Sequence, residues 1–414
     1  MNNELLKLSV SEKRLISRLK QLGITGKNSN GVLTRLAMSE SDKLGRDLFV
    51  SWLNEVGLEV KVDRIGNIFG VWTTPKNKHM KPIMMGSHID TVINGGIYDG
   101  CYGVISGLEV IQTMIEHNYD SPRPIVVAAF SNEEGVRYQP DMMGSLVYAN
   151  GLPLESALNT VGTDGTKLYE ELERIGYAGQ EEPGFIMPFA YIELHVEQGP
   201  ILDYENVPIG VVENLQGISW QEISIEGVAN HAGTTPMSMR CDAGVVAAKI
   251  ITFLNERANI SDTKTVSTVG SIDFSPNLVN VIPSSVKLTV DLRNPNDSKL
   301  IEEEKVLCEY LLDLERTDEV KIVSRQLVRF NPVQFDIKIL DVIENSATVR
   351  KLKSKRMTSG AGHDAQMISK ICPTAMIFVP SKKGISHNPD EYTDMFELVS
   401  GANVLLDSVL ELSK

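Results

Sequence analysis

Four short, continuous apolar runs constrain the fold of this chain most. Pro82–Gly86, Pro124–Phe130, Ala190–Val196 and Thr374–Val379 lack the alternation of half-exposed strands, and each is too short for a buried helix. Such runs read as strands covered on both faces, as in sheets sandwiched between helices. Helical patterns lie around them. Leu15, Ile16, Leu19 and Leu22 share one face of a helix over Ser11–Leu22. A second helix opens at Ser39, with Asp42 placed for a capping box, and stops at Gly57. Val104–Glu116, Phe335–Arg350 and Asp394–Leu412 follow the same period, and Leu58–Val62 and Ile68–Trp72 add two strands. The expectation is an α/β core.

The middle of the chain reads differently. Strand-like Ser219–Glu226, Lys264–Asp273, Asn277–Ile282, Val286–Leu292 and Glu319–Leu327 are interleaved with helices Asp242–Glu256 and Ser298–Leu314. This split βαβ pattern predicts an inserted α+β, ferredoxin-like domain over 214–329, within a discontinuous domain of 1–213 plus 330–414. A chain of 414 residues is also long for one core.

The net charge of −14 argues against nucleic acid as a partner. No apolar run is long enough to span a membrane, and Met1–Lys7 lacks the apolar core of an export signal. The four cysteines, at 101, 241, 308 and 372, form no close pair, which fits free thiols in a reducing cytoplasm.

Chemistry-bearing residues collect where the apolar runs end, the usual place for ligands in α/β sheets. After Pro82–Gly86 come His88, Asp90 and Asp99 among glycines; after Pro124–Phe130 come Glu133 and Glu134. His195 lies near the end of the third run, and His387 follows the fourth. His88 is a candidate imidazole ligand, Asp99 can bridge two cations, and Asp90 suits orienting His88. Of the adjacent Glu133 and Glu134, one can bind metal while the other serves as general base. Three imidazoles with two carboxylates suit zinc, manganese, cobalt or nickel. Two such ions, on the order of 4 Å apart, would promote hydrolysis of an amide-like bond. Each residue has a plainer reading. Asp99-Gly100 is a common turn pair, Glu133-Glu134 can be a solvated strand end, and Asp90 can cap a turn. The recurrence of His or Glu beside glycine in four strand-end loops favours the metal reading.

The whole chain resembles the M20 family of dinuclear metallohydrolases. Within it, the likeness is to the branch of N-carbamoyl-L-amino-acid hydrolases, allantoate amidohydrolases and yeast-type β-ureidopropionase. The motifs that carry it are Gly86-Ser-His-Ile-Asp-Thr-Val, Glu133-Glu-Gly, His195-Val-Glu-Gln-Gly, Asn230-His-Ala-Gly-Thr-Thr-Pro-Met and Pro276-Asn-Leu-Val-Asn-Val-Ile-Pro. Asp291-Leu-Arg, Ser359-Gly-Ala-Gly-His-Asp-Ala and Ser386-His-Asn-Pro complete the series, which runs in order through most of the chain. The resemblance implies His88, Asp99 (bridging), Glu134, His195 and His387 as ligands of two divalent ions. It implies Glu133 as general base and Asp90 as the residue orienting His88. His195 stands where general M20 peptidases carry a carboxylate, which points to the amidase branch. The family fold is a metallopeptidase-like α/β catalytic domain with an inserted lid that dimerises.

For the substrate, Arg293 offers a bidentate fork to a carboxylate, assisted by Asn280 and the backbone of Gly360, Ala361 and Gly362. A salt bridge from Arg293 to Asp291 is a serious competitor. His231 is a candidate for stabilising the oxyanion, and in the family it arrives from the partner subunit of a homodimer. Gln198 is placed to contact the ureido group. His363 reads as opening the helix Asp364–Ile368, and Cys101 as packing rather than as a nucleophile. The expected substrate is a ureido acid: an N-carbamoyl-L-amino acid first, then allantoate, then N-carbamoyl-β-alanine. No residue separates these by physical argument. An M20 dipeptidase or aminoacylase and a non-catalytic binding protein are the competing readings.

Overall fold

The computed structural model describes residues 8–28, 30–260 and 264–414; Met1–Lys7, read above for an export signal, lie outside them. The chain divides into two compact units, 1–213 with 335–414, and 214–334. The return crossing thus falls at 334/335, rather than at 329/330 as the sequence pattern placed it. No helix among the described residues is long and apolar enough to cross a membrane.

In chain order the strands are β1 (Glu59–Val62), β2 (Ile68–Trp72), β3 (Ile83–His88), β4 (Ile125–Phe130), β5 (Ala190–Val196), β6 (Ile209–Leu215), β7 (Gly217–Glu226), β8 (Val266–Ser275), β9 (Ser285–Asn294), β10 (Lys321–Phe330), β11 (Val333–Gln334), β12 (Ser354–Ser359) and β13 (Thr374–Val379). The first unit is built on a sheet in the order β1-β2-β4-β3-β5-β13-β6, with β12 beside β6. Its centre, β4-β3-β5-β13, is parallel. These are the four apolar runs, and every residue in them is buried. The helix Cys101–Glu116 connects β3 to β4, and its mostly apolar sequence matches its burial. Ser39 caps Glu40–Val56 by accepting the Asp42 N–H, and Gly57 ends that helix at φ 79°. Leu15, Leu19 and Leu22 are fully buried from the helix Glu12–Ile24, each contributing roughly 1.5–3 kcal/mol.

The second unit is an antiparallel sheet, β10-β7-β9-β8, with helices Ala243–Ile260 and Asp297–Thr317. The succession strand, helix, two strands, helix, strand is the split βαβ arrangement. Val286, Leu288, Val290 and Leu292 alternate along β9 into a core shared with Val246, Ile250, Leu307 and Leu311 of the helices. Phe253 and Tyr310 stack with ring centroids 3.9 Å apart. The strand expected at Asn277–Ile282 is a loop. Asn277 takes φ 53°, and Leu278 and Val279 are exposed, so their apolar pattern faces no core.

Candidate metal centre

β4 and β5 pair with β3 on opposite sides, so the sheet changes direction there and opens a crevice at the strands' C-terminal ends. His88 is the last residue of β3, Glu133 and Glu134 follow β4, and His195 is near the end of β5. Asp99 lies in the turn before the helix Cys101–Glu116, and His387 follows β13. Two donor sets result: His88, Asp99 and His195, and Asp99, Glu134 and His387, with donor atoms within 4.8 Å of one another in each. Asp99 belongs to both. Its Oδ1 lies 3.6 Å from His88 Nε2 and 3.2 Å from His195 Nε2, while its Oδ2 lies 3.3 Å from His387 Nε2. His387 Nε2 is 3.5 Å from Glu134 Oε2.

Backbone carbonyls fix the imidazoles. His88 Nδ1 is 3.0 Å from the Asp90 main-chain oxygen, and His195 Nδ1 is 2.8 Å from that of Val196. A carbonyl only accepts, so the hydrogen-bond network puts a proton on each Nδ1 and turns Nε2 toward Asp99 as the coordinating atom. Gly100 makes room for this. At φ 62° it has a conformation that disfavours a side chain, and any Cβ would run into the His88 ring.

Asp90 was expected to orient His88. Its main-chain carbonyl makes that contact; its carboxylate stays 3.8 Å from Nδ1. The two carboxylate oxygens instead accept the N–H groups of Glu133 and Glu134, each at 3.2 Å. Two adjacent N–H donors in the turn after β4 match the two oxygens, so Asp90 sets the backbone from which both glutamates project.

The electrostatics are those of a cation site. Burial pushes Glu133 well above the usual carboxylate range, reinforced by Asp364 and Glu134. Glu134 rises to about 8, through burial and then Asp99. Burial opposes charge on His88, but Glu133, Asp99 and Asp90 overcome it and raise the imidazole well above its usual value. Burial likewise opposes charge on Asp99, yet hydrogen bonds with His195, His387 and His88 hold it well below the usual range. His387 rises to about 9, mainly through its hydrogen bond to Asp99. Among the described residues, the ion-pair partners of Asp99, Glu133 and Glu134 are imidazoles, never Lys or Arg. With no Lys or Arg against them, these clustered carboxylates leave a charge that divalent cations can balance. The mixed nitrogen and oxygen donors fit divalent cations.

Gln198, at φ 57°, donates from Nε2 to Asp99 Oδ2 at 2.8 Å. Buried His363 contacts Ser359 Oγ at 3.2 Å and precedes the short helix Asp364–Ile368. It forms a third set with His195 and Glu193. Glu193 is already occupied, accepting from Ser87 Oγ at 2.6 Å and Ala365 N–H at 2.7 Å. Gly360, Ala361 and Gly362 form the turn between β12 and that helix, and Ser359 Oγ donates to the Ala361 oxygen. Cys101 is buried against Arg35, whose Nη2 lies 3.1 Å from Sγ.

The remaining candidates lie in the second unit. His231 is exposed, and its Nδ1 accepts the N–H groups of Gly233 and Thr234. A bridge from His231 to Val281, with Ala232 N–H donating to Asn280 O, sets the His231 and Asn280 loops side by side. Arg293 donates from Nη2 to Asp291 Oδ2 at 2.8 Å, so the competing salt bridge is present. Sequence reasoning gave no role to Glu193, Ser386 or Glu391. Only Ser386 carried a signal, as the first residue of the Ser386-His-Asn-Pro motif.

The family model for peptidase family M20/M25/M40 matches residues 84–411. An N-carbamoyl-L-amino-acid amidohydrolase of Rhizobium meliloti is 38% identical over 98% of this chain and 97% of its own. An allantoate amidohydrolase of Bacillus subtilis is 30% identical over 98% and 99%. The crystal structure of an amidase of the hydantoinase/carbamoylase family from Burkholderia multivorans superposes with a TM-score of 0.95 at 38% identity, covering 98% of both chains. With a family match reaching from β3 into the last helix, and a relative this similar along almost its whole length, the chain belongs to peptidase family M20/M25/M40.

Proposed function

We propose that this protein hydrolyses the ureido C–N bond of an N-carbamoyl-L-amino acid, giving the amino acid, ammonia and carbon dioxide. The observation that carries the reading is Asp99, whose two oxygens face two different donor sets. His88 and His195 would hold one divalent ion and Glu134 and His387 the other, with Asp99 shared. Such a pair, zinc or manganese, cobalt or nickel, supplies Lewis-acid polarisation of a carbonyl and a lowered pKa for water. Glu133, buried beside His88, takes the proton of the attacking water and returns it to the leaving nitrogen. Asp90 holds the backbone of Glu133 and Glu134 in place.

Substrate roles follow the family resemblance. Arg293 and Asn280, with the Gly360–Gly362 turn, bind the carboxylate; Gln198 meets the ureido group; and in a homodimer the partner subunit's His231 stabilises the oxyanion. Relatives named for N-carbamoyl-L-amino acids, one of them at 38% identity, favour that substrate over allantoate. The four free cysteines suit a cytoplasmic protein.

The test is ammonia release from N-carbamoyl-L-amino acids, N-carbamoyl-β-alanine and allantoate, with a dipeptide alongside, by protein reconstituted with each metal. Turnover of the N-carbamoyl-L-amino acids is expected to lead. Cleavage of the dipeptide alone would overturn the reading.

A further inference from the structure

Asp99 and His387 come from the two separate chain segments of the first unit, and Glu391 is a side chain that ties the backbone of one loop to the other. Glu391 is 6% exposed. Its Oε1 accepts the N–H of Tyr98 at 3.0 Å and that of Asp99 at 3.2 Å. Its Oε2 accepts from Ser386 Oγ at 3.1 Å, and that hydroxyl also lies 3.3 Å from Asp99 Oδ2. Gly96 makes the approach possible, because a Cβ there would fall on the Glu391 carboxyl group. Among the described residues no Lys or Arg pairs with Glu391, so the carboxylate serves these backbone and hydroxyl donors rather than a salt bridge.

The geometry matters because His387 is the exposed member of its donor set and Asp99 serves two sets at once. The His387 side chain is 52% exposed, and its backbone takes φ 51°, a strained region for a residue with a side chain. Asp99 must present its two oxygens in two directions, so a small rotation of its turn would spoil both donor sets. Glu391 holds that turn by two N–H groups and the His387 loop by Ser386, the residue just before the ligand.

We propose that Glu391 is a positioning residue for the cation pair, fixing the shared carboxylate Asp99 relative to His387. The proposal rests on the metal-centre reading above. It gives Glu391 no contact with substrate, and it assigns the effect to hydrogen-bond acceptance rather than to charge.

Cation titration of the full-length protein with Zn²⁺ and Mn²⁺, followed by metal analysis and steady-state kinetics, tests it. Wild type should take up two cations; failure to do so would sink the metal-centre reading itself, before Glu391 is at issue. Glu391→Ala should weaken at least one cation by about tenfold or more and lower kcat at limiting metal, with KM little changed. Glu391→Gln keeps an oxygen for both N–H groups and should restore most of the affinity. Ser386→Ala removes the hydroxyl that links Glu391 to the His387 loop and that also lies 3.3 Å from Asp99 Oδ2; it should weaken one cation several-fold, which keeps the test decisive if the alanine variant at 391 fails to fold. Wild-type affinity for both cations in Glu391→Ala or in Ser386→Ala would overturn the proposal. So would a Glu391→Gln protein as deficient as Glu391→Ala, which would point to charge instead of positioning.

Discussion

Asp99 carries the most at the scale of single residues, since each of its oxygens serves a different donor set. Asp99→Asn removes the charge and replaces one oxygen with an N–H donor. It should leave one bound cation or none; two cations at wild-type affinity would refute the sharing. Asp63 tests electrostatics away from the centre. It is fully buried, accepts the N–H groups of Ile65 and Asn67, and is pushed by burial to about 7. The unfolded value is ~3.9, so the folded chain holds this proton more tightly. The resulting stabilisation is complete below about pH 4 and is lost as the pH rises through about 7, in total up to ~4 kcal/mol. Denaturant unfolding of wild type and Asp63→Asn across this range should show wild type losing ground to the variant as pH rises. A difference independent of pH would contradict the assignment.

At the scale of elements, the helix Met395–Leu412 opens on a reciprocal capping box between Asp394 and Glu397. Asp394→Ala should cost about 1 kcal/mol of unfolding free energy, and no measurable loss would show the box to be dispensable. How far an element could be read from sequence depended on whether its burial was continuous. β3, β4, β5 and β13 are covered on both faces, so their apolar runs needed no partner to be recognised. β12, Ser-Lys-Arg-Met-Thr-Ser, pairs with β6 off the main path of the sheet and has one buried apolar residue, Met357, so composition hid it. Asn277–Ile282 erred the other way, because apolar residues in a solvent-facing loop imitate a strand. The site divides along the same physical line. His88, Glu133, Glu134, His195 and His387 were legible because they stand beside glycines where apolar strands end. Glu193 and Glu391 were not, because they work through N–H groups far away in sequence, such as Ala365 and Tyr98. At Asp90 the contact to His88 is made by the main-chain carbonyl, an atom that residue type does not reveal.

For the whole molecule, the metal centre and Glu133 belong to one unit and Arg293 to the other. Arg293→Lys keeps the charge but loses the planar fork, so KM for a carboxylate substrate should rise by roughly tenfold while cation affinity stays unchanged. An unchanged KM would leave Arg293 as only the salt-bridge partner of Asp291. The most direct test of the central claim pairs cation content with turnover in wild type and Glu133→Gln. Both proteins should hold two divalent ions per chain. Wild type should release ammonia from an N-carbamoyl-L-amino acid, and Glu133→Gln should be slower by about 10²–10⁴-fold. Wild-type turnover in Glu133→Gln, or full activity in wild type stripped of its ions, would contradict it.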